Sequence, residues 1–296
     1  MPDMPAAEVN IAPEVVRRLL ASQHPDIADL PLSFLASGWD NLTFRLGSDM
    51  VVRLPRREAA VPLLLHELRW LPIIAASTTT PVPVPLRRGA PSDLFPWPWS
   101  VNSWHDGEPV LALEPSRRAG LAPALARFVT DIHREAPPEA PRNPVRGTPL
   151  AARDADVRAR LAGGILDAAS TAALTAAWED ALAAPPHAGP ACWIHGDLHP
   201  ANMLHRSGEL AAVIDFGDLG RGDPATDLGT AWLTFDAEGR TRFRAEVAAA
   251  RAWDDAMWTR ARGWAVSMTT ALLAFSDDAP AMRAMGLWAL AQVLDD

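Results

Sequence analysis

Residues 193–204, WIHGDLHPANML, followed by IDFGD at 214–218, are the stretch that decides the fold. In the first segment Asp197 precedes Asn202 by four intervening residues. In the second segment Asp215 comes directly after the apolar run 210–214, where a buried strand is expected to end. Two polar turns of this kind, in this order, place carboxylate and amide oxygens in loops that adjoin short strands.

Phosphoryl transfer needs an oriented acceptor hydroxyl, metal ions that bridge the phosphates, and cations that hold the triphosphate. In the kinase form of this chemistry, a loop aspartate orients the acceptor and an asparagine after four intervening residues binds the metal. A second aspartate, in a turn after a strand, completes the metal site. The joint pattern of Asp197, Asn202 and Asp215 therefore predicts transfer of a γ-phosphoryl group from a nucleoside triphosphate with Mg²⁺.

The same residues also have simpler interpretations. Asp197 and Asp215 could be turn formers or helix caps, and the three histidines at 195, 199 and 205 could form a zinc site. Gly196 and Pro200 oppose a continuous helix that would bring two of these histidines onto one face. The two segments together favour phosphoryl transfer over either alternative.

The apolar spacing divides the chain into a strand-rich first part and a helix-rich second part. It predicts these elements in chain order: helix 11–23, strands 32–36, 42–46 and 50–54, helix 57–74, strand 99–104, helices 116–134 and 151–183, strands 191–195 and 209–216, and helices beyond 224 with breaks near Gly239 and at 277–280.

The segments 193–204 and 212–228 (AVIDFGDLGRGDPATDL), with the strand that ends near 103–107, resemble the aminoglycoside phosphotransferase family. The resemblance extends from about residue 30 to the end of the chain. It implies a two-lobed, protein-kinase-like α+β fold. Residues 1–104 would form a small β-rich N-lobe that binds nucleotide. Residues 105–296 would form a mainly helical C-lobe with the catalytic loop, the metal site and the substrate-binding helices.

The resemblance assigns a role to each matching residue of the C-lobe motifs. Asp197 is implied to be the catalytic base, or to orient the acceptor hydroxyl, and His195 to brace the catalytic loop. Asn202 and Asp215 are implied to hold Mg²⁺. Asp227 either tethers the loop or caps a helix, and the sequence leaves these two interpretations equal.

The resemblance also locates the nucleotide-binding residues. The turn Ser37–Asn41, with Gly38, stands where the family positions the nucleotide, although its single glycine by itself indicates only a hairpin turn. Ser103 and His105 lie where main-chain groups bind the purine edge. Such contacts do not distinguish ATP from GTP, and the polar Asn102 beside them leaves the preference open.

The chain has no lysine, so all 27 basic residues are arginine. Arg53, in the predicted strand 50–54, stands where the family usually has a phosphate-binding lysine. Arginine is a permanent planar cation that can bind phosphate oxygens, but its reach differs from that of lysine. Arg56 is a rival for this role, and Glu67 on the following helix is the expected ion-pair partner of Arg53.

Composition bounds the partners and the location. The net charge of -9 argues against a protein that binds a nucleic-acid backbone. It would suit a cationic substrate, although ordinary solubility is the commoner reason for such a charge. No apolar run reaches the length of about 18 residues that a membrane helix needs, and residues 1–10 do not have the pattern of a signal peptide. With the single Cys192, these features predict a cytoplasmic protein. We expect a monomer or a homodimer, and the sequence does not decide between them.

The function implied is transfer from ATP or GTP to a hydroxyl of a small molecule, an antibiotic such as an aminoglycoside or a macrolide. A metabolic kinase of the same fold, acting on choline, a sugar or an amino alcohol, is one alternative. A pseudokinase that binds nucleotide without transfer is another.

Two groups of late residues point to different acceptors. Five tryptophans could line an apolar wall for a macrolide: Trp232, Trp253, Trp258, Trp264 and Trp288. Six acids could bind the ammonium groups of an aminoglycoside: Asp236, Glu238, Asp254, Asp255, Asp277 and Asp278.

Overall fold

The computed structural model describes residues 6–296. The described chain forms two compact units, one of residues 6–106 with 215–217 and the other of residues 107–214 with 218–296. The N-terminal segment in which no signal peptide was recognised lies partly in residues 1–5, outside the described residues.

The first unit is a five-stranded antiparallel sheet with two helices. Its elements are α1 (Pro13–Gln23), β1 (Leu32–Ser37), β2 (Asn41–Leu46), β3 (Met50–Pro55), α2 (Val61–Ala75), β4 (Pro85–Gly89) and β5 (Trp99–Ser103). The strands lie in the order β1-β2-β3-β5-β4. Alternate residues of the strands, among them Phe44, Val52 and Val101, are buried against Leu19 and Leu20 of α1. This period-2 burial is what the alternating sequence predicts for a sheet with one face on a core.

The second unit is mainly helical. Its elements are β6 (Glu108–Pro109), α3 (Ala122–Ile132), α4 (Asp154–Ala162), α5 (Ala168–Ala183), β7 (Cys192–Ile194), β8 (Met203–Arg206), β9 (Glu209–Val213), β10 (Gly220–Gly222), α6 (Ala225–Leu228), α7 (Thr230–Thr234), α8 (Ala237–Ala250), α9 (Asp255–Phe275) and α10 (Pro280–Leu294). The strands form two small sheets, β10-β7 and β6-β8-β9. Helix α9 is buried along most of its length and contacts α5, α6 and α10. The α+β class predicted from the sequence is confirmed.

The predicted helix 151–183 and the predicted break near Gly239 are wrong in detail. A 3-10 turn over Leu150–Arg153 precedes α4, and Gly163 and Gly164 separate α4 from α5. Gly239 lies inside α8, and the chain breaks earlier, at Asp236, whose side chain accepts a hydrogen bond from the Gly239 N–H at 2.8 Å. A glycine is required at 239 because a Cβ there would lie 2.9 Å from the Cβ of Phe235. Packing, and not a helix end, explains this glycine.

Among residues 6–296, no helix combines the length and the apolar character that are required to cross a bilayer.

Candidate active site

The loop from His195 to Asn202, called here the 195–202 loop, begins directly after strand β7 and is held at its start by Asp227. The main-chain N–H groups of His195 and Gly196 donate to the two oxygens of the Asp227 carboxylate at 2.8 and 2.9 Å. His133 Nε2 lies 3.0 Å from Asp227 Oδ2. Asp227 lies within α6 and not before it, so it tethers the loop and does not cap the helix. Burial raises the pKa of Asp227, but the hydrogen bond and charge of His133 more than offset this and hold it below its usual range.

Gly196 is the second residue that shapes the loop. Its φ is +88°, in the region that glycine adopts without strain. A Cβ at this position would lie 2.5 Å from the main-chain oxygen of Asp218. Both the conformation and the close approach therefore require glycine, and together they turn the chain so that Asp197 follows.

His195 connects the two ends of the motif. Its Nδ1 accepts a hydrogen bond from the Asp197 N–H at 3.2 Å, so Nε2 carries the proton and donates to Ile214 O at 3.0 Å. Ile214 N–H in turn donates to Asn202 O at 2.9 Å. These contacts suit the bracing role that the resemblance implies for His195, and the role itself stays a prediction.

Both carboxylate oxygens of Asp197 have partners within the second unit. Oδ1 accepts from Arg146 Nη2 at 2.9 Å. Oδ2 lies 3.2 Å from Asn202 Nδ2 and 3.2 Å from His199 Nε2. Burial raises the pKa of Asp197, but His199 and then Arg146 more than offset this and hold it far below its usual range. Asp197 is therefore a carboxylate at any working pH.

The side-chain amide of Asn202 is oriented by hydrogen bonds from its nitrogen. Its Nδ2 donates to Asp197 O at 2.9 Å as well as to the side chain. Since the amide nitrogen is held in this way, Oδ1 is the atom left for a cation. Amide and carboxylate oxygens suit Mg²⁺, so the chemistry of Asn202 and of Asp215 suits the predicted metal, and their joint role in holding it stays a prediction. Within residues 6–296, no group of three or more His, Cys, Asp or Glu side chains could hold a metal ion, and this includes the three histidines considered for zinc.

Arg146 was missed by the sequence analysis. It lies in the segment 133–149, which has no regular pattern, and it also donates from Nε to Asp218 Oδ2 at 3.3 Å. The next residue, Gly147, has φ +64° and packs so closely that a Cβ there would lie 2.5 Å from Cδ1 of Ile194. Asp223 N–H donates to Gly147 O at 3.0 Å. The only sequence signal was a glycine after an arginine, which does not indicate a contact with Asp197.

A cavity of about 480 Å³ adjoins Asp197 through Arg146, which is one of its lining residues. Apolar residues form part of the wall, including Pro149, Leu150 and Leu182. None of the five tryptophans and none of the six acids considered for the acceptor is among the described lining residues. Trp232 and Trp264 are buried in the core instead, and Asp236 and Asp254 cap helices. These residues therefore do not form the wall of this cavity, whereas Trp232, Trp258 and Asp255 line a second cavity of about 440 Å³, and the acceptor wall expected from them stays a prediction.

In the first unit, the turn Ser37–Asn41 is a closed hairpin turn. Ser37 ends β1 opposite Leu42, and the Gly38 N–H donates to Asn41 O at 2.9 Å. Arg56 Nη1 donates to Gly38 O at 3.0 Å. Arg56 therefore holds the turn, which is a structural use for the rival of Arg53.

Arg53 and Glu67 form the predicted ion pair. Glu67 is buried, and 12% of the Arg53 side chain is exposed. Burial lowers the pKa of the Arg53 guanidinium, but the Glu67 carboxylate and, after it, the charge of Asp215 raise it above its usual value. Asp215 has φ +62°, which aspartate tolerates better than most residues. The structure thus brings Arg53, Glu67 and Asp215 together in one unit, while their role in binding nucleotide stays a prediction.

The strand end Asn102 to His105 offers main-chain groups to a ligand. The Ser103 N–H donates to Val84 O at 2.9 Å, and Ser103 Oγ lies 3.2 Å from His105 Nε2. No hydrogen bond from the His105 main-chain N–H is found among residues 6–296. Asn102 is buried and donates from Nδ2 to Pro83 O at 2.9 Å, which explains a polar residue on this strand.

Comparison with known families shows one match that spans most of the chain. The model of the phosphotransferase enzyme family matches residues 31–264. No curated protein is significantly similar to the chain in sequence.

Solved structures of similar fold agree with this match. The GDP and kanamycin complex of APH(2")-IIIa is 20% identical, with a TM-score of 0.67 over 94% of this chain and 97% of that chain. The streptomycin-ATP-APH(2")-IIa ternary complex is 19% identical, with a TM-score of 0.60 over 94% and 95%. The macrolide 2'-phosphotransferase MphH from Brachybacterium faecium is 22% identical, with a TM-score of 0.62 over 94% and 98%. At these identities the likeness shows the fold, and it confirms the fold that the motifs predicted.

Proposed function

Because the chain belongs to the phosphotransferase enzyme family, we propose that it transfers the γ-phosphoryl group of ATP or GTP to a hydroxyl of a small molecule. The observation that carries the proposal is the 195–202 loop. There Asp197 and Asn202 are held against each other by a direct hydrogen bond, and Asp227 and His195 fix the loop behind them. In the reaction, the acceptor oxygen bonds to the γ-phosphorus and the bond to the nucleoside diphosphate breaks. The hydroxyl proton leaves through Asp197 to solvent.

Asp197 serves this reaction mainly by orienting the acceptor. A general base is most effective when its pKa lies near the working pH. The pKa of Asp197 lies far below that pH, because His199 and then Arg146 outweigh the burial that raises it. A carboxylate of low pKa is a weak proton acceptor but a good hydrogen-bond acceptor. We therefore assign to Asp197 the placing of the hydroxyl in line with the phosphorus, with proton uptake late in the step.

The triphosphate and the metal are assigned to the residues that the family resemblance implies. Mg²⁺, which would neutralise charge on the phosphate oxygens, would be held by Asn202 Oδ1 and the Asp215 carboxylate. Arg53, kept in place by Glu67, would bind phosphate oxygens. The turn Ser37–Asn41 would cover them.

The purine edge is assigned to main-chain groups. The Ser103 C=O and the His105 N–H would hold it, so the same contacts would accept ATP or GTP. On this proposal residues 1–104 are the nucleotide lobe and residues 105–296 the catalytic and acceptor lobe.

An antibiotic acceptor is supported by the similar structures that hold kanamycin or streptomycin and by the macrolide enzyme. A metabolic kinase of the same fold is the second candidate. A pseudokinase is opposed by the presence of Asp197, Asn202 and Asp215 together. We place the enzyme in the cytoplasm and expect neither a nucleic-acid nor a membrane partner.

The test is a nucleotide-consumption screen with Mg²⁺, ATP or GTP, and hydroxylated acceptors that include aminoglycosides, macrolides and amino alcohols. With any acceptor that turns over, Asp197→Asn is expected to lower kcat by about 10² to 10⁴, the usual contribution of such a group, while nucleotide affinity is kept. Asp156→Asn is the control, because Asp156 also pairs with an arginine but is exposed on α4. Equal kcat in Asp197→Asn and wild type would contradict the assignment.

A further inference from the structure

The cavity beside Asp197 is suited to be the acceptor pocket of the proposed phosphotransferase. Its volume of about 480 Å³ lies in the range that holds small organic ligands. Arg146 lines it and also contacts Asp197 Oδ1 at 2.9 Å. Asp197 is not itself among the described lining residues, so an acceptor hydroxyl would reach its Oδ1 by sharing that oxygen with Arg146 or by displacing Arg146.

The charged residues of the cavity wall are mostly basic. Four arginines line it against one acid: Arg142, Arg146, Arg221 and Arg260 against Asp223. Arg260 is neutralised by Asp223, which accepts from its Nε at 2.7 Å. Arg146 is neutralised by Asp197 and Asp218, at 2.9 and 3.3 Å. Two positive charges in the wall are thus matched by the protein itself.

The other two arginines are not matched. Among residues 6–296, neither Arg142 nor Arg221 has a carboxylate oxygen within 4.0 Å. Arg221 lies in β10, and its main-chain N–H donates to Pro141 O at 2.8 Å. This hydrogen bond holds the Arg221 main chain next to the residue that precedes Arg142. The Nε of Arg221 is buried and has no hydrogen-bond partner in the described chain. The Arg221 side chain as a whole is half-buried and lines the cavity, so an anionic ligand would meet the outer end of its guanidinium group and not the buried Nε.

We infer that the cavity selects acceptors that carry an anionic group, such as a carboxylate, on a body that is partly apolar. Arg221 and Arg142 bind the anion, Pro149, Leu150 and Leu182 pack against the body, and the hydroxyl is directed to Asp197. The inference rests on the proposed function for the role of Asp197. Within the proposed function it therefore favours other hydroxylated acceptors over aminoglycosides, because the several ammonium groups of an aminoglycoside would face two unmatched guanidinium groups.

Three 4-nitrophenyl β-glycosides test the charge preference: the glucuronide, the glucoside and the 2-amino-2-deoxyglucoside, which are anionic, neutral and cationic on one skeleton. Binding to the full chain is measured by titration calorimetry without nucleotide. The glucuronide is expected to bind about tenfold more tightly than the glucoside, which corresponds to one charge-assisted hydrogen-bond pair. The amino sugar is expected to bind most weakly.

Arg221→Gln is expected to remove most of the tenfold preference and to leave the affinity for the neutral glucoside unchanged. Arg142→Gln, in an exposed loop position where folding is not at risk, is expected to reduce the preference as well. Arg127→Gln is the matched control, because Arg127 is exposed on α3 and does not line the cavity. Melting temperatures equal to that of the wild type exclude misfolding as the cause.

Equal affinity for the three compounds, tighter binding of the amino sugar, or no binding of any of them would overturn the inference. A preference that survives in both Arg221→Gln and Arg142→Gln would also overturn it. Phosphoryl transfer from ATP or GTP is assayed separately with the same compounds. Selective binding without transfer would support the inference about the cavity alone, whereas no turnover with these compounds or with any acceptor of the screen would contradict the proposed function, so the two failures are distinguishable.

Discussion

Arg146 is the residue whose effect on the site is easiest to isolate. It occupies Asp197 Oδ1, while Asn202 and His199 occupy Oδ2. An acceptor hydroxyl that binds Asp197 must therefore share Oδ1 with Arg146 or displace it. Arg146 is a positioning residue on this view, since it fixes the carboxylate and lowers its pKa without taking part in bond formation.

Replacement of Arg146 by glutamine is expected to raise the pKa of Asp197 toward its ordinary value of about 3.9, because a neighbouring cation is removed. Asp197 must be ionised to bind the hydroxyl, so the acid limb of the kcat/KM profile should move to higher pH. The pKa is depressed in the folded state, so its contribution to stability is present above about pH 3.9 and is lost as pH falls further. At neutral pH the variant should lose about 1 kcal/mol, since the pair is partly exposed.

The matched control for this prediction is Arg158→Gln. Arg158 also contacts two acids, Asp154 and Glu179, but it is exposed on α4 and does not line the cavity. Its pH profile should coincide with that of the wild type. An unshifted acid limb in Arg146→Gln would show that Arg146 does not tune Asp197.

At the residue scale, the parts of the site that could be predicted are those with a local signature. Asp197 and Asn202 contact each other across a short loop, and the Arg53–Glu67 pair follows from a strand and the next helix. Arg146 and Arg221 could not be found in this way. Their positions depend on how the segment 133–149 packs against β10, and the sequence of an irregular segment does not specify that packing.

At the scale of elements, the 195–202 loop depends on α6 and on one glycine. Asp227 presents its carboxylate from α6 to two main-chain N–H groups of the loop. The chain can turn at Gly196 only because that residue lacks a side chain. The loop is therefore expected to lose its geometry when either support is changed, even where Asp197 itself is intact.

Gly196→Ala is expected to destabilise the protein by at least about 2 kcal/mol, because an alanine at φ +88° is strained and its Cβ would meet the Asp218 oxygen. Turnover should fall with it, because Asp197 follows directly. The measurement is urea unfolding together with kcat. Gly120→Ala is the control, since no atom lies within 4 Å of a Cβ there, and its stability should be unchanged or slightly higher. Equal stability of the two variants would contradict the strain argument.

The elements themselves were predictable where a period was long enough to read. Strands β1, β2 and β3 and helix α1 agree with their apolar spacing within two residues. Strands β4 and β8 were missed, because Pro85 and two arginines occupy the first and only four residues form the second. The segment 151–183 was predicted as one helix because it is Ala-rich on both sides of Gly163 and Gly164, where the structure has the break between α4 and α5. A short strand such as β8 forms because it pairs with neighbouring strands, and its own few residues carry no signal of that pairing.

At the scale of the whole molecule, the net charge does not by itself predict the charge of one cavity wall. The chain carries a charge of -9, which would suit a cationic substrate, yet the cavity beside Asp197 has two unmatched arginines. None of the acids considered for an aminoglycoside is among the described lining residues of this cavity; two of them cap helices, and Asp255 lines the second cavity. Overall charge describes solubility and long-range attraction, whereas acceptor choice depends on which side chains the fold brings to one wall.

Nucleotide and metal should act on the stability of the whole chain. A ligand that binds only the folded state stabilises it by RT ln(1 + [L]/Kd), about 2.7 kcal/mol at a concentration of 100 Kd. ATP or GTP with Mg²⁺ is therefore expected to raise the melting temperature of the wild type. Removal of Mg²⁺ by EDTA should abolish most of this rise, because Asn202 and Asp215 are assigned to the metal and not to the nucleotide alone.

Two variants separate the nucleotide site from general stabilisation. Arg53→Ala should melt with little response to nucleotide and Mg²⁺, because it removes the cation proposed for the phosphates and leaves Glu67 buried beside an empty position. Arg87→Ala should respond as the wild type does, since Arg87 lies on strand β4, is exposed and pairs only with the exposed Asp26 among the ion pairs of the described residues. If Arg53→Ala kept the full rise in melting temperature, the phosphate clamp would have to be sought elsewhere. Arg56 would then be the next candidate, despite its bond to Gly38 O.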